Sequence, residues 1–426
     1  MTKMASTAKV TGRAPGGSSP SVFIMAGEAS GDWAGALLAR ALKEREPGLA
    51  LAGVGGRRMA AAGVDLVADS SEWGAIGVCD AVGKIPRVWR VLRRVRARLE
   101  RERPSAVVLI DSGGGNVPLA RRVRKLGLKT VYYLPPGSWS RRLRNPGLRE
   151  LVDVVATPFP WSRDLLTGGR ARVEWVGHPV LEAARPKLSC EEAWQRYGLD
   201  PGRRVVALAP GSRGQEMKHV LPLLAKAAGR LAREFEGVQF MAPVSDPVYE
   251  KRVWDAFRKA GVRVMLLQGM EYDALQLAEA AAVCSGTATL EFACLGTPMV
   301  VVYRAGLGTS LQFVLARGVI GKQWRAGMPN IIAGRDIVPE LLWKWAKPET
   351  LARELGSLLR DEDRRERMKA DLAEVVANLG GDPRLGGDPR LGGDPRLGQV
   401  GASGKTAELV LELMGEESAV EPGVGG

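Results

Sequence analysis

Four loops that each follow an apolar run carry the residues best suited to chemistry. The first loop, residues 27–32, combines two glycines, two carboxylates and a hydroxyl group between an apolar run at 22–26 and a helical pattern. A glycine-rich turn at a helix start lets backbone N–H groups approach an anion or a sugar closely. The same residues fit a plain strand-to-helix turn in which Ser30 or Asp32 caps the helix. The spacing matches neither a Walker loop nor the dinucleotide-binding fingerprint.

The second loop begins at Asp111, which follows five apolar residues (106–110) and precedes a glycine triplet (113–115). A carboxylate at the end of a buried strand, beside a glycine turn, is placed to accept a proton from a bound hydroxyl group. A capping aspartate is the simpler alternative. The pattern therefore indicates a candidate general base.

The third group lies in the second half of the chain and is suited to a nucleoside diphosphate. Arg213 follows a strand pattern within Pro-Gly-Ser-Arg-Gly (210–214), where its planar guanidinium could bind phosphate oxygens. An ordinary surface arginine is the alternative. Segment 285–291 offers hydroxyl and N–H groups at a helix start, and Glu291 follows about one turn later, where a carboxylate could bind ribose hydroxyls.

The elements that must position these loops alternate between strand and helix patterns. Apolar runs predict strands at 22–26, 49–54, 106–110, 130–134, 204–209, 238–242, 262–267, 281–284 and 299–303. Such alternation predicts an α/β fold with parallel sheets covered on both faces. A polar, proline-bearing stretch at 179–200 separates two doubly wound units. Ligands of such sheets bind beyond the carboxyl ends of the strands, so we expect the site in the crevice between the units.

Composition narrows the class of protein. Of 426 residues, 45% are hydrophobic and 25% are charged, which is typical of a globular chain. Four scattered cysteines and two histidines support neither a disulfide framework nor a zinc site. No apolar run reaches the roughly 18 residues of a spanning helix, and we expect a cytoplasmic protein.

The net charge of +14 favours an anionic partner. Segment Trp73–Arg103 interleaves tryptophans and apolar residues with many basic residues, a pattern that predicts contact with an anionic membrane surface. An ordinary crossover helix with a charged solvent face is the alternative. No nucleic-acid-binding motif accompanies the charge, so we expect no nucleic-acid partner.

Two segments outside the predicted core have distinctive compositions. Residues 1–19 and 416–426 lack apolar periodicity, and we expect both to be disordered. The hexapeptide Leu-Gly-Gly-Asp-Pro-Arg occurs three times from Leu379 to Arg396, which predicts a surface loop at 379–398. A short C-terminal helix is expected within 399–415.

Seven motifs, taken in order, resemble those of the lipid-A-disaccharide synthase family (glycosyltransferase family 19). The resemblance spans about residues 21–375 and rests on segments Gly27–Asp32, Gly53–Met59, Ile110–Asp111, Val176–Pro179, Leu208–Gly214, Ser285–Glu291 and Pro329–Arg335. It implies a GT-B fold: an acceptor-binding Rossmann-like domain at 20–182 and a UDP-sugar-binding one at 183–378, facing a cleft.

The resemblance also implies the reaction and the residues. The family transfers diacylglucosamine from its UDP derivative to diacylglucosamine 1-phosphate, with inversion and without a metal or cofactor, at the inner face of the cytoplasmic membrane. The resemblance assigns catalysis to Asp111 and Glu28. It assigns substrate binding to Ser30, Gly31, Asp32, Asn116, Arg213, Ser285, Gly286, Thr287, Thr289, Glu291 and Asn330.

Two departures from the family pattern lie in the acceptor half. Gly114 stands where the family has a second aspartate, and segment 135–142 lacks one of two tryptophans. They leave two alternatives open: a related GT-B enzyme with a different lipid or sugar acceptor, and a non-catalytic UDP-sugar or lipid-binding relative. The oligomeric state is also left open, a homodimer included.

Overall fold

The computed structural model describes residues 20–27, 29–70, 85–111, 113–138, 147–166, 168–304, 325–380 and 401–416. The first sheet contains β1 (Ser21–Ala26), β2 (Ala50–Gly55), β3 (Asp65–Asp69), β4 (Ala106–Ile110), β5 (Thr130–Tyr133), β6 (Val154–Thr157) and β7 (Arg172–Trp175). Its strands lie in the order β3-β2-β1-β4-β5-β6-β7, and every neighbouring pair is parallel.

The second sheet repeats this arrangement further along the chain. It contains β8 (Val205–Ala209), β9 (Gln239–Val244), β10 (Met265–Gln268), β11 (Ala280–Cys284), β12 (Met299–Tyr303) and β13 (Glu340–Leu342). The order is β10-β9-β8-β11-β12-β13, again parallel throughout. The strand order reverses beside β1 in the first sheet and beside β8 in the second, which is where ligands bind in such folds.

Helices connect the strands and cover the sheets. Those of the first half are α1 (Ala29–Arg45), α2 (Arg57–Ala61), α3 (Ile85–Glu102), α4 (Gly113–Lys125), α5 (Pro160–Leu166), α6 (Val180–Ala183) and α7 (Cys190–Tyr197). Those of the second half are α8 (Gly214–His219), α9 (Leu221–Glu234), α10 (Glu250–Lys259), α11 (Tyr272–Leu275), α12 (Ala288–Cys294), α13 (Met328–Ala333), α14 (Pro348–Arg360), α15 (Glu362–Asn378) and α16 (Ala402–Gly415). None of these helices combines the length and the apolar composition that crossing a bilayer demands.

Strand β4 shows why the central strands form. All five of its residues are buried, as expected of a strand covered on both faces. Val108 and Ile110 pack with α1 and α16 on one face, whereas Val107 and Leu109 pack with α3 and α4 on the other. Each such side chain contributes about 1.5–3 kcal/mol on full burial. The apolar run therefore holds Asp111 at a fixed edge.

The last helix returns to the first sheet. Although α16 follows the second sheet in sequence, Ala407 and Val410 join the core beside α1. Glu182 accepts a 2.7 Å hydrogen bond from the Ser403 N–H at the start of α16. Trp33 of α1 packs against the cores of both sheets. The two halves of the chain are therefore connected through α16 and through Trp33 of α1.

The predicted α/β fold with two doubly wound parallel sheets is confirmed, with corrections in detail. Strands β3, β6, β7 and β13 were not predicted, because they are short and most lie at or near sheet edges where polar residues interrupt the apolar run. The pattern at 262–267 forms a strand only from Met265 to Gln268. Segments 1–19, 71–84, 381–400 and 417–426 lie outside the described residues. The domain limits drawn from the sequence stay predictions.

Candidate active site

Asp111 ends β4 at the carboxyl edge of the first sheet. Its backbone N–H donates to the Tyr133 carbonyl at 3.1 Å, and its φ of +50° is unusual for a residue with a side chain. The Ser30 hydroxyl lies 3.3 Å from Asp111 Oδ2. Two residues predicted from different loops are thus brought together. Glu28, the other predicted catalytic residue, lies outside the described residues.

Asn116 lies in α4 directly beneath this edge and is fully buried. Its Nδ2 donates to the Ile110 carbonyl at 2.8 Å and to the Asp111 carbonyl at 3.2 Å. The sequence predicted a substrate contact here. The geometry instead uses the amide to hold the backbone that carries Asp111.

Asp32 lies in the first turn of α1 and is also buried. Its Oδ1 accepts the N–H groups of Gly56 at 2.6 Å and Met59 at 3.0 Å, and its Oδ2 accepts that of Arg58 at 3.2 Å. The N–H groups at the start of a helix have no acceptor within the helix, and at α2 Asp32 supplies it. The predicted substrate-binding carboxylate therefore caps a neighbouring helix. Gly31 packs against the end of β1, where an added Cβ would lie 3.3 Å from the Ala26 Cβ.

The loop after β8 is held by a carboxylate that the sequence analysis did not single out. Glu216 Oε2 accepts the N–H groups of Ser212 at 2.6 Å and Arg213 at 2.9 Å. Gly211, at φ +103°, has no room for a side chain, since a Cβ would lie 2.2 Å from Glu216 Oε2. The Arg213 side chain is 53% exposed and lies 3.7 Å from the Glu216 carboxylate. The cation predicted to bind phosphate is therefore accessible, while two backbone donors beside it are already satisfied.

The loop after β11 exposes backbone rather than side chains. Ser285 donates its N–H to the Val302 carbonyl at 2.9 Å and its hydroxyl to the Ala326 carbonyl at 2.7 Å. Gly286 adopts φ +153°, and no described heavy atom lies within 4 Å of where its Cβ would be. Thr287 precedes α12 directly, whereas Thr289 is buried and donates to the Gly286 carbonyl at 2.7 Å. The open side of this loop can admit a phosphate.

Glu291 of α12 faces the opposite sheet. The Tyr272 hydroxyl donates to Glu291 Oε1 at 2.7 Å. Burial raises the pKa of Glu291, whereas the Tyr272 hydrogen bond and the positive charge of Arg58, from the first sheet's edge, lower it. Burial and the charge of Glu291 in turn raise the pKa of Tyr272, so its hydroxyl stays protonated as a donor. The positive charge of Arg58 thus favours the ionised form of Glu291.

Asn330 serves the fold rather than the cleft. It is buried, and its Oδ1 accepts the N–H groups of Ile337 and Val338 at 2.7 and 2.9 Å. Its Nδ2 donates to the Val338 carbonyl at 2.9 Å and to Glu340 Oε1 at 2.8 Å. Glu340 also accepts the N–H groups of Ala326 and Gly327. The side chain predicted to bind UDP is fully used in closing its own loop.

Several residues of the site were missed from the sequence. Glu216 had a signal, since a glutamate three residues after a helix start is the capping-box position. Tyr272, Glu340 and Tyr132 had no signal in the sequence, because their partners are distant along the chain. The Tyr132 hydroxyl, for example, donates to the Asp111 carbonyl at 2.7 Å. Arg58 belonged to a motif but had no assigned role.

Two solved structures illustrate the similarity in fold. A Staphylococcus aureus MnaA–UDP complex matches with a TM-score of 0.58 at 12% identity, over 86% of this chain and 93% of that one. CalG4, the calicheamicin glycosyltransferase, matches with a TM-score of 0.55 at 15% identity, over 93% of this chain and 100% of that one. At these identities the likeness shows the fold alone.

Sequence comparison is more specific. A family model described as lipid-A-disaccharide synthetase matches residues 22–382. The lipid-A-disaccharide synthase of Syntrophus aciditrophicus is 38% identical over 363 residues, which cover 84% of this chain and 93% of that protein. That of Geobacter sulfurreducens is 34% identical over 93% of this chain and 98% of its own length. The chain therefore belongs to the lipid-A-disaccharide synthase family of glycosyltransferases.

Proposed function

We propose that this chain transfers diacylglucosamine from its UDP derivative to diacylglucosamine 1-phosphate, releasing UDP with inversion at the anomeric carbon. The observation that carries the proposal is the pairing of two edges. Asp111 directly follows β4 of the first sheet, the Gly286 loop follows β11 of the second, and Trp33 packs against the cores of both sheets. A base and a diphosphate site on opposite edges are what an inverting displacement requires.

On the acceptor side, Asp111 accepts the proton of the attacking hydroxyl group. The hydroxyl oxygen forms a bond to C1 of the donor sugar, the bond between C1 and the diphosphate oxygen breaks, and the electron pair leaves with UDP. A single displacement inverts the configuration at C1. Ser30, 3.3 Å from Asp111 Oδ2, orients the carboxylate. We also propose a catalytic role for Glu28, which precedes Ser30 by two residues in the sequence.

On the donor side, cations and N–H dipoles stabilise the leaving diphosphate. Arg213 offers its guanidinium to the phosphate oxygens, and the backbone at Gly286 and Thr287 lies at the start of α12. Glu291, oriented by Tyr272, binds the ribose hydroxyls. Thr289 and Asn330 position the donor-side loops, and Asp32 and Asn116 position loops on the acceptor side.

We further propose that the first half of α3 docks on an anionic membrane. Trp89 is 70% exposed, and Arg90, Arg93 and Arg94 make no ion pair with any described residue. In the second half of α3, by contrast, Arg96, Arg98 and Arg101 pair with Glu100 or Glu102. Uncompensated basic residues near anionic lipid contribute about 1 kcal/mol each.

Transfer is tested with radiolabelled UDP-diacylglucosamine and detergent-solubilised diacylglucosamine 1-phosphate. We expect a disaccharide 1-phosphate whose new linkage has the anomeric configuration opposite to the donor's, together with one UDP for each disaccharide. UDP binding without a disaccharide would contradict the proposal.

Docking is tested by flotation with vesicles that contain anionic phospholipid. Replacing Arg90, Arg93 and Arg94 by glutamine should weaken binding by about a hundredfold, because three contributions are lost. The matched control replaces the paired Arg96 and Arg101. Equal loss in both variants would contradict docking through the first half of α3.

A further inference from the structure

Asp111 holds a backbone conformation that side chains rarely adopt. Its φ is +50°, although it directly continues a regular parallel strand. Left-handed geometry is unfavourable for residues with a Cβ, although aspartate tolerates it better than most, and at a functional site surrounding contacts can hold it in place. The contacts on the Asp111 backbone are therefore part of what aims its carboxylate.

Two side chains donate to the same Asp111 carbonyl oxygen. The Tyr132 hydroxyl lies 2.7 Å away and Asn116 Nδ2 lies 3.2 Å away. A carbonyl oxygen has two lone pairs, so both are occupied. The third backbone contact, from the Asp111 N–H to the Tyr133 carbonyl at 3.1 Å, only extends the sheet. Tyr132 and Asn116 thus fix the peptide plane that follows Asp111.

Tyr132 reaches this carbonyl from the neighbouring strand. In the parallel register it lies opposite Leu109, two residues before Asp111, and its ring is buried on the α3 and α4 face of the sheet. Burial, and then the charge of Asp111, raise the pKa of Tyr132. The hydroxyl is therefore a permanent donor over the working pH range.

We infer that Tyr132 is a positioning residue for sugar transfer: its hydroxyl bond to the Asp111 carbonyl keeps Asp111 left-handed and its carboxylate directed at the acceptor hydroxyl. The inference rests on the proposed role of Asp111 as base. Tyr132 itself touches no substrate. Its loss should therefore slow the chemical step while leaving the donor site on the other sheet unchanged.

The test replaces Tyr132 by phenylalanine, which removes only the donor. We expect kcat to fall about fivefold to tenfold, the loss that one net hydrogen bond supports, while KM for UDP-diacylglucosamine stays within about twofold. The matched control is Tyr133→Phe. Tyr133 is the next residue of β5 and equally buried, but it faces α1 and α16. The control should keep the wild-type kcat.

Measurements in the Asp111→Asn variant separate the proposed role of Asp111 as base from the inferred role of Tyr132 in positioning it. If Tyr132 acts through the carboxylate, Tyr132→Phe should cause no further loss of kcat once that carboxylate is gone. Wild-type kcat in Tyr132→Phe, an equal loss in Tyr133→Phe, or an undiminished further loss in the Asp111→Asn background would overturn the inference. Full activity of Asp111→Asn alone would instead overturn the proposed base, and this inference with it.

Discussion

The ends of β4 and β11 occupy the same position in the two sheets but present different chemistry. Asp111 donates its N–H to the next strand at 3.1 Å, and Ser285 makes the equivalent bond at 2.9 Å. The residue after the first strand is Asp111, at φ +50°, whereas the second strand is followed, after Ser285, by Gly286, at φ +153°, with no described heavy atom within 4 Å of where its Cβ would be. One topology thus yields an edge that offers a side chain and an edge that offers backbone, which suits a base and a phosphate respectively.

The loops after β1 and β8 form a second pair. Asp32 and Glu216 are both buried acids, and both accept backbone N–H groups at a helix start. Each of these two carboxylates is used by backbone N–H groups, whereas the Asp111 carboxylate contacts the Ser30 hydroxyl. An acidic residue in a glycine loop is therefore weak support for catalysis until its acceptor positions have been accounted for.

The largest effect that bears on this comparison is expected at Gly286. Gly286→Ala adds strain at φ +153° and a methyl group on the side that admits phosphate. We expect UDP to bind about a hundredfold more weakly by calorimetry, since such strain costs about 1–3 kcal/mol and the methyl adds a clash.

Gly296→Ala is the matched control for Gly286. Gly296 also has a positive φ, +66°, and open space, but it follows the far end of α12. It should lose stability and keep UDP affinity. Similar affinity loss in both variants would mean that the Gly286 loop does not contact the nucleotide.

The scaffold role of Asp32 predicts a loss of stability. Asp32→Asn turns an acceptor of three N–H groups into a group with one acceptor oxygen, so we expect the free energy of unfolding to fall by about 2 kcal/mol in urea denaturation. Asp65→Asn breaks an ion pair of an exposed carboxylate and should cost less than about 1 kcal/mol. An equal loss of unfolding free energy in the two variants would contradict the scaffold role of Asp32.

A smaller effect is expected at Arg213. Arg213→Gln removes the accessible cation of the donor edge and should raise KM for the UDP-sugar about tenfold, because a charge-assisted hydrogen bond is lost. Arg204→Gln breaks an ion pair with Glu279 at the opposite end of the same unit and should leave KM unchanged. A KM change of the same size in both would argue against a phosphate contact.

The sequence could predict those features that depend on residues close together along the chain. An apolar run that ends in a polar residue and glycine singled out Asp111, Arg213 and Gly286 as candidates, and the alternation of such runs predicted both sheets. The contacts of Asn330 with Val338 and Glu340 could not be predicted, because these residues meet it only when the loop closes. Tyr132 looked like one more strand residue, since its function depends on the register between β4 and β5.

The most direct test of the two-edge account is to measure transfer and UDP affinity together in Asp111→Asn. The account predicts that transfer falls by about a hundredfold to ten-thousandfold, the range for removing a general base, while the Kd of UDP stays within about twofold. Transfer at the wild-type rate, or loss of UDP binding in parallel with transfer, would contradict it.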